Sequence, residues 1–166
     1  MTPAGLAIRR ARPDDFDAIC EMADIMDEPQ RAALPDRFRR GPGPARNRDR
    51  TEALMRDEDT FLGIAELDGQ VVGVVNSGLE KMPDYPQKQP IRSVKIRGIV
   101  VRPELRRKGI ATALVHAVED WASSRGATEL QANVYDFNQP AFAFFTRLGL
   151  APLSHRLARR LEPDTR

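Results

Sequence analysis

The residues with most chemical promise stand together in one stretch, IRGIVVRPELRRKGIATALV, where Arg106, Arg107 and Lys108 directly precede Gly109. An apolar run ends at Val101, Pro103 marks a turn, and the hydrophobic period becomes helical from Ile110 onward. A helix beginning at such a junction presents unpaired backbone N–H groups and the positive end of its dipole, a setting that suits phosphate oxygens. Gly109 lets the backbone approach an anion or take a positive φ, Ala111 keeps the next position small, and Thr112 can offer a hydroxyl. Together these residues describe a cradle for a pyrophosphate. The chain has no GxxxxGK[ST] and no GxGxxG, so it is neither a Walker loop nor a dinucleotide fingerprint. Three basic residues alone would mark only a solvated patch; the Gly, the small residue, the Pro and the change of period make the stretch a site.

Other reactive residues are sparse. Cys20 is the single cysteine, and His116 and His155 stand far apart, so no internal disulfide and no metal site is expected. The two histidines read as helix and strand surface. With 166 residues, 41% of them apolar, the chain is expected to form one domain over residues 1–166, with 27–50 as a variable region. No apolar run approaches the roughly 20 residues of a membrane span, and the N-terminus lacks the apolar centre of a signal peptide. A cytoplasmic protein is the expectation. A net charge of +2 among 30% charged residues argues against a nucleic-acid partner, and the hydropathy argues against a membrane one.

Stepping outward from the cradle, the elements that must hold it can be placed. Residues 6–10 form a first strand, and a helix follows in which Pro13, Asp14 and Asp15 suit the first turn and Phe16, Ile19, Ala23 and Met26 recur at helical spacing. Residues 27–49 lose that period and fill with Pro, Gly and Arg, which predicts a long loop, and 50–56 form a short helix. FLGIAELDGQVVGVVNSGLE reads as two strands joined by an Asp68-Gly69 turn. Strand 94–101 leads into the cradle and its helix, which Gly126 caps. A strand over 129–135, a helix over 140–148 and a closing strand over 153–161 complete the order β-α-α-β-β-β-α-β-α-β. That order predicts a mixed α/β fold, its sheet predominantly antiparallel and flanked by helices.

VVRPELRRKGIATAL resembles the acetyl-CoA signature of the GNAT N-acetyltransferase superfamily, [RQ]-x-x-G-x-[GA] after a strand ending V-x-P, with Arg106, Gly109 and Ala111 at its defining positions. Downstream, NQPAFAFFTRLGL (138–150) is similar to the family's N-x-x-A-x-x-F-Y-x-x-x-G-F. The resemblance implies an enzyme that moves an acetyl group from acetyl-CoA, as co-substrate, to an amine acceptor, acting as a monomer or homodimer. It further implies that the backbone of Ile99, Val100 and Val101 pairs with the pantetheine arm. The amides of Arg107, Lys108, Gly109, Ile110, Ala111 and Thr112 would hold the pyrophosphate. Asn138 would bond the pantetheine, and Ala141, Phe144 and Phe145 would line its far wall.

Two positions depart from the family pattern. The usual proton-donating Tyr is replaced by Phe145, and the strand position that often carries a Glu base holds Lys95. Glu80 and Tyr135 become the catalytic candidates, with Asp84, Tyr85 and Asn133 as further polar groups nearby in the chain. Residues 27–49 and 81–92 should build the acceptor site, and their arginine excess favours an acceptor with a carboxylate. A non-catalytic acyl-CoA-binding or sensing module is the alternative that the two departures leave open.

Overall fold

The computed structural model describes residues 2–81, 86–87 and 89–161. Five strands form one sheet in the order β1 (Ala7–Arg10), β2 (Thr60–Leu67), β3 (Gln70–Leu79), β4 (Ser93–Val101) and β5 (Glu129–Ala132). The first three pairings are antiparallel and β4–β5 is parallel, so the predicted mixed, mainly antiparallel α/β architecture is present. The β2–β3 hairpin turns on Asp68 and Gly69, both at positive φ (50° and 75°), as the Asp-Gly signal requires.

Helices cover both faces. Helix α3 (Ile110–Ser124) buries Ile110, Leu114 and Val118 with Val115 against Phe61, Ala65, Val72, Val75, Val94, Ile96 and Val101 of the sheet. Each such side chain withdrawn from water contributes about 1.5–3 kcal/mol. Helix α4 (Gln139–Arg147) adds Phe145 to the same cluster. The opposite face packs Ile19 and Met22 of α1 (Phe16–Ala33) on Leu62, Ile64, Val74 and Val100, and α2 (Arg48–Arg56) contributes Met55. Among the described residues no helix is long and apolar enough to cross a membrane.

The entry to α1 is fixed by charge. Arg9 on β1 donates two hydrogen bonds to Asp15 (2.7 and 2.8 Å) and a further pair to Glu66 on β2, while Asp15 also accepts from the Arg12 N–H. The hydrogen-bonded Arg9 guanidinium, more than offsetting burial, holds the Asp15 carboxyl below the ordinary carboxylate range.

Three boundaries differ from the sequence reading. Helix α1 continues to Ala33, through Pro29, where a loop was expected from residue 27. Arg31 braces the turn around that proline: its guanidinium reaches the Asp24 carbonyl at 3.2 Å and Glu28 at 2.7 Å. Strand β5 stops at Ala132 rather than at 135, because its partner β4 leaves the ladder after Ile96. The closing strand over 153–161 does not form, and Leu153, Leu157 and Leu161 are 78%, 92% and 74% exposed. Leucines four apart with arginines between them offer no continuous strand face to bury. This segment touches the rest of the chain through an Arg160–Asp36 pair at 3.1 Å, and His155 lies exposed within it, as His116 does on α3.

Candidate functional site

The β4–α3 junction has the backbone form that its sequence requires. A 3-10 turn over Pro103–Leu105 leads to Arg107 at φ 64° and Gly109 at φ 75°, two left-handed residues flanking Lys108. Gly109 is the N-cap of α3 and no side chain caps it. The first helical bond is donated by the Ala113 N–H to the Gly109 carbonyl at 2.9 Å. Among the described residues, no acceptor meets the six successive amides of Arg107, Lys108, Gly109, Ile110, Ala111 and Thr112. Alternating left-handed residues gather such N–H groups into a concavity that binds anions, here at the positive end of a 15-residue helix. Arg107 and Lys108 are exposed beside it, while the Arg106 Nε folds back to the Val101 carbonyl at 3.4 Å. Gly73 keeps α3 close to the sheet, since a Cβ there would come within 3.1–3.3 Å of Leu114 and Ile110 side-chain carbons.

Next to the cradle, β4 and β5 part. They pair over only four residues, from Ser93–Glu129 to Ile96–Ala132. On its other side β4 carries a bulge: Asn76 opposes Gly98 and Ser77 opposes Ile96, so Arg97 has no partner. A bulge bends its strand and turns two successive side chains to one face. Accordingly Gly98 faces Met26 of α1, and Arg97 lines a cavity with that residue. Beyond the bulge, Ile99, Val100 and Val101 pair with β3 but not with β5, which leaves one edge of their backbone open.

Helix α4 follows β5, the strand from which β4 parts. Asn138 caps it, its Oδ1 accepting from the Ala141 N–H at 3.2 Å, which fixes the orientation of the amide. Ala141 and Phe144 are half-buried, and Phe145 is 6% exposed within the α3 core, edge-on to Phe144 at 5.1 Å. The Phe145 ring therefore fills the core, and as a hydrocarbon it offers no proton.

A cavity of about 340 Å³ lies on the α1 side of the bulge, lined by Met26, Asp27, Gln30, Arg31, Phe38, Arg39, Arg46 and Arg97. The loop after α1 contributes Phe38, Arg39 and Arg46, and no described residue of 81–92 lines it. Both catalytic candidates reach its rim. Glu80 holds Lys95 at 3.1 Å and the pocket-lining Arg97 at 3.7 Å. On the other side, the Tyr135 ring stands edge-on to the pocket-lining Phe38 at 5.6 Å and stacks on Phe137 at 5.8 Å. Asn133 is exposed, and Asp84, Tyr85 and Lys88 lie outside the described residues. Arg97 escaped the sequence reading. The signal was there: the apolar residues of β4 step by two from Val94 to Ile96 and by three from Ile96 to Ile99.

Comparison with known proteins bears on the family and the fold. Residues 22–150 match the model of the Acetyltransferase (GNAT) family. An uncharacterised N-acetyltransferase of Methanocaldococcus jannaschii is 31% identical over 96 residues, which are 58% of this chain and 41% of that protein, so the chain spans well under half of this relative. A mutant Bacillus halodurans protein of known structure superposes with a TM-score of 0.87 at 22% identity, over 93% of this chain and 99% of its own. The structure of AAC(6')-Iy in complex with the bisubstrate analogue CoA-S-monomethyl-acetylneamine gives a TM-score of 0.71 at 19% identity. That match covers 95% of this chain and 99% of the other.

Proposed function

Because this chain belongs to the GNAT acetyltransferase family, we propose that it is an N-acetyltransferase that moves an acetyl group from acetyl-CoA to a primary amine of a small molecule, amino acid or peptide. The carrying observation is the run of six amides from Arg107 to Thr112 that meet no acceptor among the described residues, at the end of the strand whose edge is open. The fit to coenzyme A rests on that backbone. The amides, with Arg107 and Lys108, hold the pyrophosphate, and Arg106 adds charge at the strand end. The free edge of Ile99, Val100 and Val101 takes the pantetheine as an added strand, and Asn138 offers its remaining amide N–H groups from the other side. Ala141 and Phe144 form the far wall, with Phe145 supporting them from the core.

The co-substrate supplies an acetyl thioester, whose C–S bond breaks as the amine nitrogen bonds to the acetyl carbon, the sulfur leaving with the electron pair and gaining a proton in place of the one lost by nitrogen. The chain's part is positioning and charge. A β4 N–H near Ile99 or Val100 faces the carbonyl oxygen as negative charge develops on it. Glu80 takes the amine proton at the pocket rim, and Tyr135 donates toward the sulfur from the opposite side. A coenzyme A thiol with a pKa not far from the ordinary thiol value of about 8.5 leaves at modest cost, so this family member functions with Phe145 in place of Tyr.

Calorimetry with CoA tests the first half of this reading, and thiol release over a panel of amines tests the second. Absence of CoA binding overturns the whole. Phe145 and Lys95 favour a second reading, a non-catalytic acyl-CoA-binding module, and CoA binding without thiol release on any amine would decide for it.

A further inference from the structure

We infer that the cavity beside the β4 bulge selects an amine that also carries a carboxylate, with Arg97 and Arg39 as the groups that hold the anion; this rests on the N-acetyltransferase reading above. Among the described residues, four arginines and one aspartate line the cavity. Two of the arginines are already committed. Arg46 is clasped by both oxygens of Asp27, at 2.7 and 3.1 Å. Arg31 is taken by Glu28 at 2.7 Å and Asp24 at 3.5 Å. The one lining carboxylate among the described residues is thus spent within the wall.

The other two arginines remain open to a ligand. Arg39 makes no ion pair among the described residues. Among the described residues Arg97 has one ion pair, the outer contact of Glu80 at 3.7 Å, while Glu80 lies closer to Lys95 at 3.1 Å, and the charge of Arg97 is felt as well by the exposed carboxyl of Asp57. The bulge presents Arg97 on the cavity side, and its guanidinium lies across Gly78, where a Cβ would come within 2.7 Å of Nη2. Seated on the sheet in this way, the planar group is held ready for two parallel hydrogen bonds to a carboxylate.

Position supplies the rest. Arg97 follows directly on Ile96, the last β4 residue paired with β5, so it stands where the open edge of β4 begins. In this reading a carboxylate on Arg97 leaves the amine, one or two carbons away, to reach toward that edge. Met26 and Phe38 give the cavity an apolar wall for a side chain, and its size is that of a small-molecule site. The acceptor class is an α-amino acid or similar amino-carboxylate with an apolar or aromatic side chain. Polyamines meet like charge at the arginines and are disfavoured.

The test has three arms. Calorimetry with CoA first establishes the co-substrate site. The CoA-loaded protein is next titrated with N-acetyl-phenylalanine and with its carboxamide, and thiol release from acetyl-CoA is followed with phenylalanine, leucine, their carboxamides, spermidine and neamine. The acids should exceed both the carboxamides and the polycations by about 10-fold or more in kcat/KM, chiefly through KM, and N-acetyl-phenylalanine should bind more tightly than its amide. In Arg97→Gln the preference for acid over amide should collapse toward unity. Arg39→Gln, in an exposed loop, should reduce it in a background whose folding is not at issue. Preferred turnover of the polycations, or a preference for acid that survives both substitutions, overturns the inference and leaves the acetyltransferase reading intact. Failure to bind CoA removes that reading, and the inference with it.

Discussion

Gly109 offers the sharpest trial of the cradle, because its φ of 75° and ψ of 0° set the direction of the amides around it. An L-residue held in the left-handed region costs about 1–2 kcal/mol, with a β-branched residue at the upper end. Gly109→Val should therefore lower the melting temperature by about 3–8 °C for a chain of this size. If the valine relaxes that φ, the amides of residues 109–112 no longer converge. Losing two charge-assisted hydrogen bonds, at about 1.5–3 kcal/mol each, weakens CoA at least about 100-fold. Gly109→Asn, which tolerates the left-handed region, should fall between the valine variant and the parent in both measurements. Calorimetry with CoA beside thermal melting reads both effects. A valine variant that melts lower yet binds CoA within about threefold of the parent would refute the assignment of these amides to the phosphates.

Other expectations follow from the same geometry. Glu80→Gln and Tyr135→Phe should each lower kcat/KM by about 10²-fold while leaving the CoA dissociation constant unchanged, as steady-state kinetics beside calorimetry would show. Asn138→Ala removes the cap of α4 and should cost about 1 kcal/mol of stability in urea unfolding, together with some CoA affinity. The Asp15 carboxyl titrates below its unfolded value of about 3.9, so its pair with Arg9 stabilises fully above that pH and is lost as pH falls toward the folded value. Asp15→Asn should accordingly lower stability by about 1–3 kcal/mol at pH 7 and flatten the loss of stability below about pH 4, read from unfolding curves at both pH values.

The sequence was most informative where backbone, rather than packing partners, decides the outcome. Gly109 before a helical period, with Pro103 upstream, dictates a helix start whatever lies around it, and the structure has that start. The Asp68-Gly69 hairpin is local in the same sense. Boundaries that depend on distant partners read less well. Glu129–Ala132 is short because β4 turns away at Arg97, and nothing in the β5 residues reports that. Helix α1 runs through Pro29, with the Arg31 side chain bonded back to the Asp24 carbonyl, a long-side-chain contact that periodicity does not register. Leu153, Leu157 and Leu161 looked like strand material, but β-propensity has meaning only where a neighbouring edge and a buried face exist. The arginines of residues 27–49 stand out in the sequence; which of them are spent on internal carboxylates is a matter of distances, and only the structure holds it.

Arg97 carries one more consequence. If it were excised, the strand would close up with Val94, Ile96, Ile99 and Val101 still alternating toward α3 and Gly98 and Val100 still toward α1, so every apolar side chain would keep its neighbours. The hydrophobic code of the sheet is indifferent to this residue. It is a supernumerary unit in the ladder, and a shorter chain would spell the same core as a flatter sheet with β4 and β5 free to zip together. The end of the β4–β5 ladder and the one inserted residue coincide, and that residue turns its positive charge to the α1 face of the sheet.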